Sequence, residues 1–311
     1  MARNSRSFRR LPWPVLLLIA GFVGCRQLQQ KEAPQKTSKS TKNQSATRRN
    51  TPQDRPGNNS GAPSGSNRNS SNEGNLLLGN PTNAARTADN FLLERATYSL
   101  SYNQQNGGPN WVAWHTDASN LGVLDRGDNF APDPNLPPEW QIRPTDYRGS
   151  GYDRGHVCPS GDRTASRDDN TATFYMSNML PQTGSLNRHV WADLENYLRD
   201  QIRAGNEIYE VAGGAGSAGR IAKGKVNVPQ ICWKVAVIIP AGSGDLRRIN
   251  AKTRVLAVGM PNVDDKRLES GNWRSYLTTV SKIQSATKLD LLSALPDSTE
   301  RALESQTDAG N

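Results

Sequence analysis

Tyr152-Asp153-Arg154-Gly155-His156-Val157-Cys158-Pro159 is the stretch on which the reading of this chain turns. It sets one histidine two residues after an arginine, with a glycine between them. In a strand or an extended loop, residues i and i+2 share a face, so Arg154 and His156 point the same way. A guanidinium beside an imidazole disfavours the imidazolium, which helps keep the ring neutral near pH 7 as a general base requires. Arg154 can also grip an anion with two parallel N–H bonds. Gly155 is expected to let the backbone approach a ligand closely. These features suit phosphate chemistry. Taken alone, they suit a satisfied histidine beside a structural arginine equally well.

Downstream, Asn178-Met179-Leu180-Pro181-Gln182 leads into Leu186-Asn187-Arg188-His189-Val190-Trp191-Ala192-Asp193-Leu194-Glu195 and then Arg199. Val190, Trp191, Leu194, Tyr197, Leu198 and Ile202 recur at helical spacing and predict an amphipathic helix over 188–204. Asn187 stands at its entry, where it can cap the helix or serve a site. Glu195 and Arg199 are four apart and can be a surface pair, or can face the same site as His156. On an ideal helix they lie ~80° and ~120° around from Asn187, within one broad face. His189 would turn ~200° away from Asn187, so it is not expected to join a ligand set.

The surrounding sequence reads as one mixed domain. Tyr98–Tyr102 and Trp111–His115 alternate with period two around 103–110 and predict a hairpin. His115 in the second of these strands is read as structural. A Pro-rich loop runs from Ala131 to Pro144. Further strands are expected at Glu207–Val211, Cys232–Ile239, Arg254–Val258 and near Tyr276–Val280. Strands and helices do not alternate regularly, so the fold class is α+β with a central antiparallel sheet flanked by helices. Gly214, Gly216 and Gly219 spell G-x-G-x-x-G, but Lys223, Gly224, Lys225 and Pro229 follow where a dinucleotide site would open a helix. That segment is expected to be a glycine loop between strands. Cys158 and Cys232 are left open between a disulfide, allowed outside the cytosol, and two thiols. Cys158 as a protease nucleophile would leave the arginines without a task.

The chain of 311 residues carries a formal charge of +9, which by itself invites a nucleic-acid reading. The excess is not where a folded site would use it: residues 76–311 come to −1. Residues 1–25 join Arg3, Arg6, Arg9 and Arg10 to an apolar run from Leu11 to Val23 and end in Gly24-Cys25. This is the order of an export signal, with Phe22-Val23-Gly24-Cys25 placed like a lipobox whose cysteine would take a lipid anchor. The run is shorter than the roughly 18 residues of a spanning helix. Residues 26–75 are polar and basic with hardly an apolar side chain, and predict a disordered tether spanning roughly 40 Å on average. The expected location is the cell envelope, lipid-anchored or periplasmic, or outside the cell.

Several stretches in order carry a resemblance. They are Asp125-Arg126-Gly127-Asp128-Asn129-Phe130, Pro132-Asp133-Pro134, Gly149 to His156, Met179-Leu180-Pro181-Gln182 and Gly224 to Pro229, with Asn187 and Glu195 between the last two. This series resembles the DNA/RNA non-specific endonucleases, the ββα-metal (His-Me) family that includes endonuclease G and secreted bacterial nucleases. The similarity covers most of 85–295. It implies a metal-dependent endonuclease that cuts DNA and RNA with little sequence preference and leaves 5′-phosphate ends. By that resemblance His156 is the general base and Asn187 the protein ligand of a Mg²⁺, with Mn²⁺ as an alternative. Glu195 matches a carboxylate that orients water, and Arg126, Arg154 and Arg199 match arginines around the scissile phosphate. Two other readings stay open: a nuclease or phosphodiesterase restricted to one sugar type, and an inactive nuclease fold serving as a surface binding module.

Overall fold

The computed structural model describes residues 74–125 and 127–309. The export signal, Cys25, the tether up to residue 73 and Arg126 lie outside the described residues.

The strands are β1 (Arg86–Thr87), β2 (Asn90–Glu94), β3 (Ser99–Asn103), β4 (Gly108–Thr116), β5 (Asp153–His156), β6 (Met179–Gln182), β7 (Asn206–Ala215), β8 (Arg220–Ile221), β9 (Val226–Asn227), β10 (Ile231–Pro240) and β11 (Arg254–Pro261). The helices are α1 (Arg167–Thr173), α2 (Trp191–Arg203), α3 (Asp245–Arg248), α4 (Lys266–Glu269), α5 (Val280–Thr287) and α6 (Asp297–Ser305). Seven strands make one antiparallel sheet in the order β1-β2-β3-β4-β7-β10-β11, while β5-β6 and β8-β9 form separate two-stranded ladders. This is the α+β architecture expected from the sequence, and the β3–β4 hairpin falls where the alternation placed it.

Both faces of the sheet are covered, which is why β10 reads as an almost unbroken apolar run. On one face Trp111, Tyr209, Trp233, Val235 and Val237 pack under α5, α6 and the leucines at 289, 291, 292 and 295. On the other face there are two apolar clusters. Leu194, Leu198 and Ile202 of α2 meet Ile208, Cys232, Ala236 and Leu256. Tyr98, Leu100, Tyr102, Val112 and Trp114 meet Val157 and Cys158. In β10, Lys234 breaks the apolar run: it is fully buried, 2.7 Å from Glu210 of β7, with its ammonium 4.5 Å from the Trp114 ring centre and 5.6 Å from that of Trp191.

Two expectations are corrected. The strand anticipated near Tyr276–Val280 is a tight turn over Trp273–Tyr276 followed by α5, with only a single bridge between Val258 and Leu277. The Thr279 hydroxyl accepts from the Lys282 N–H and starts that helix, so capping outweighs β-branched propensity. The amphipathic helix begins at Trp191, because His189 (φ −125°, ψ −106°) interrupts it and leaves Leu186–Val190 as a separate wide turn. The glycine loop does lie between strands, although Gly214 itself belongs to β7. Among the described residues no helix is long and apolar enough to cross a membrane.

Candidate active site

His156 is placed by the ladder of β5 on β6, which pairs it with Met179 and pairs Gly155 with Leu180. Asn178 locks the end of this ladder. Its side chain accepts from the Cys158 N–H and donates to the carbonyls of Cys158 and Thr173, each within 2.9 Å. Gly155 serves packing, which corrects the ligand-approach reading: a Cβ there would stand 2.0 Å from Gln182 Oε1. His156 is 7% exposed, and its ring packs against Phe174 (4.7 Å between centres, edge-on) and Phe130 (5.4 Å). Arg154 lies over the same Phe130 ring at 3.9 Å, so positions 154 and 156 share a face as the strand spacing required. Phe130 closes the Asp125–Phe130 series and stands against both His156 and Arg154.

A cleft of about 410 Å³ opens beside the histidine, lined by His156, Asn187, Arg188, Glu195 and Arg199 together with the segment from Pro159 to Gly161 and Thr164. Four sequence candidates therefore meet in one place. Arg154 stands next to it, on Phe130 and 4.0 Å from Asp128. Arg126 lies outside the described residues. Asn187 reaches the cleft from the wide turn before α2 and not as a helix cap; its own N–H bonds to the Thr183 carbonyl. The ideal-helix angles therefore do not describe its relation to Glu195 and Arg199, although all three line the cleft.

Asp153, a residue sequence reasoning passed over, organises the turn. It accepts 3.0 Å from Asn187 Nδ2 and takes a two-pronged bond from Arg188. Committing the amide nitrogen to Asp153 leaves the Asn187 carbonyl oxygen as the atom able to serve a cation or other donor. Asp153 sits inside the motif that opened the sequence reading, and its acidic character beside a candidate ligand was the available signal. Asp162 was also missed. It is buried, accepts from Trp114 Nε1 (3.1 Å), and pins Arg199 at 2.8 Å. Gly161 is required for that reach, since a Cβ there would come within 2.9 Å of Arg199 Nη1. Arg163, buried next to Asp162, ties the loop to the sheet through the Thr97 and His115 carbonyls.

Glu195 is part-buried on the cleft wall, and its carboxyl is pushed up to about 7. Burial is the main cause; Lys234 and Arg199 oppose it, and Asp162 and Glu210 add to it. A Glu held neutral in the fold adds stability that is complete below its ordinary pKa and is lost as pH rises through about 7. Glu195→Gln imitates the neutral form. Without divalent metal it should match the wild type in thermal stability at pH 4.5 and exceed it at pH 8. The gap should be on the order of 1–2 kcal/mol, discounted for the group's partial exposure. Melting curves in chelator at the two pH values check this, and equal gaps at both would remove the buried proton.

The other candidates have structural tasks. His115 stacks on Tyr209 (4.3 Å) and reaches Glu207 at 3.1 Å. His189 is not among the cleft residues. Cys158 and Cys232 are both free thiols, buried in different clusters on one face of the sheet.

A central antiparallel sheet, with the β5–β6 ladder and the turn leading into α2 delivering His156 and Asn187 to one cleft, defines a ββα-metal nuclease fold. The solved structure of the EndoG/EndoGI complex shares it, with a TM-score of 0.60 and 25% identity over 71% of this chain and 91% of that one. The chain belongs to the DNA/RNA non-specific endonuclease family, whose model matches residues 79–298. It is 46% identical over 237 residues to "Nuclease" of Nostoc sp., covering 75% of this chain and 85% of the relative. To "Nuclease C1" of Cunninghamella echinulata it is 34% identical over 223 residues, 66% and 85% of the two chains. The protein is accordingly a nuclease, a hydrolase of nucleic-acid phosphodiesters.

Proposed function

We propose that the protein is a Mg²⁺-dependent endonuclease that cuts DNA and RNA with little sequence preference and leaves 5′-phosphate ends. One observation carries this reading furthest: the Asn187 amide nitrogen is spent on Asp153, so its oxygen is presented in the cleft that also holds His156, Glu195 and Arg199. The donor fits the metal. Asn187 offers a hard oxygen, and magnesium prefers such ligands, needs few from the protein and keeps much of its own water. Manganese accepts the same oxygen. When bound, the ion stabilises the negative charge that gathers on the phosphoryl oxygens and the departing 3′ oxygen.

The side chains divide the remaining work. His156 takes a proton from the water that attacks phosphorus, and Phe130 and Phe174 hold its ring in place for that transfer. Glu195 orients water in the cleft. Arg199, fixed by Asp162, offers a positive charge to the non-bridging oxygens, and Arg154 and Arg126 add to it. Water adds to phosphorus as the bond to the 3′ oxygen breaks, which yields a 5′-phosphate and a 3′-hydroxyl. Recognition through phosphates makes no use of the 2′-hydroxyl, and sugar tolerance follows.

Plasmid DNA and single-stranded RNA should both be degraded with Mg²⁺ and spared when chelator is in excess. Asn187→Ala should raise the Mg²⁺ concentration needed for half-maximal rate by about 10- to 100-fold, the range seen when groups at a metal site are altered. An unchanged metal titration would remove Asn187 as the ligand, and cleavage in chelator would remove the metal. For the rest of the chain, residues 1–25 act as an export signal, Cys25 takes a lipid anchor and residues 26–75 form the tether of a catalytic domain at 76–311. The order of charge, apolar run and cysteine supports that placement. Recovery of the mature chain wholly in the soluble fraction would overturn the anchor.

A further inference from the structure

We propose that Arg188 is a substrate-binding residue that takes the phosphate next to the one being cut. The inference rests on the reading of the cleft as a phosphodiesterase site. Arg188 lines that cleft beside Asn187, and 68% of its side chain is exposed. Exposed arginines usually sample many rotamers, and holding one still costs entropy. Here the guanidinium is already held. Nε donates to Asp153 Oδ2 at 2.8 Å and Nη2 to Asp153 Oδ1 at 2.5 Å, the two-pronged geometry that only an arginine makes. Among the described residues no acceptor reaches Nη1, so those two N–H groups stay available at the cleft wall.

Position decides which phosphate. His156 and Arg199, which Asp162 pins, are the groups read at the scissile phosphate, whereas Arg188 is tied to Asp153 at the opposite end of β5 from His156, so its remaining N–H groups are left for the phosphate alongside. The same carboxylate holds Asn187 and Arg188, so the metal ligand and the flanking phosphate contact would be set in register by one residue. A residue that merely steadied Asp153 would need no place on the cleft wall. The folded region, at −1, must gather a polyanion through local contacts such as this one.

The test compares two substrates with the full chain in Mg²⁺: a ten-nucleotide single strand, and bis(p-nitrophenyl) phosphate, which has one phosphodiester and no neighbour. For Arg188→Ala the ratio of kcat/KM on the oligonucleotide to kcat/KM on the single diester should fall about tenfold, with the change carried by KM. The slope of log(kcat/KM) against log salt on the oligonucleotide should flatten by about 0.7, one phosphate contact on a single strand. Arg188→Lys, which keeps charge without the fork, should keep the salt slope and lose only part of the ratio. Equal losses on both substrates would overturn the proposal, because Arg188 would then act on the scissile phosphate or through Asp153 on Asn187. An unaltered ratio and slope would overturn it as well. If the wild type turns over neither substrate, the phosphodiesterase reading itself fails, an outcome distinct from the other two.

Discussion

His156→Ala is expected to slow cleavage of both DNA and RNA by about 10²–10⁴-fold at saturating Mg²⁺, the usual contribution of a positioned general base. The loss should appear in kcat, since no phosphate or metal contact is removed. The variant will also be less stable. The residue is 7% exposed and its ring is wedged between Phe130 and Phe174, so truncation opens a void that costs about 1–3 kcal/mol. His156→Gln fills most of that volume while lacking a base of suitable pKa. It should melt closer to the wild type and remain as inactive as the alanine variant. Single-turnover rates together with melting temperatures for the two variants separate chemistry from folding. Retention of more than about a tenth of the wild-type kcat in His156→Gln would sink the general-base role.

What was legible beforehand followed from local pattern. The apolar run of β10, the periodicity of α2 and the Trp-rich hairpin each report which side chains are buried, and burial is what residue type encodes most directly. Arg154 and His156 were legible as chemistry because they share one face of a single strand. What failed was decided over longer distances or by single backbone dihedrals. The break at His189 involves neither proline nor glycine, so nothing in the sequence marked the turn that presents Asn187. The clasp of Asp153 on Asn187 joins residues 34 apart, and that of Asp162 on Arg199 residues 37 apart. Thr278-Thr279-Val280 reads as strand by composition, yet the Thr279 hydroxyl found a helix N–H to cap. Gly155 and Gly161 were visible as glycines, but the groups that a side chain there would displace, Gln182 and Arg199, are far along the chain.

Lys234 shows how one of those hidden pairings can be measured. Its ammonium and the Glu210 carboxylate are 0% and 1% exposed and 2.7 Å apart, and both lie beneath the cleft, near Asp162 and Arg199. Burial alone would drive protons off the lysine and onto the glutamate; Glu210 and its acidic neighbours hold the lysine pKa up against that, while desolvation keeps the glutamate pKa raised. Lys234→Met keeps the length of the side chain and leaves Glu210 unpaired in the interior. That change should cost about 3–5 kcal/mol, the penalty for breaking a buried pair from one side. For a domain of this size the melting temperature should fall by roughly 10 °C or more. Removing the partner as well, in Lys234→Met/Glu210→Gln, should restore most of the loss, because two desolvated charges leave together. The two effects must then be strongly non-additive, with a coupling of more than about 1.5 kcal/mol in a double-mutant cycle. A loss under about 1 kcal/mol for Lys234→Met, or additive losses in the cycle, would mean that the ammonium is solvated or otherwise partnered in solution. Non-additivity would establish that the central strands are joined under α2 by a charge pair, with Trp114 and Trp191 as its walls.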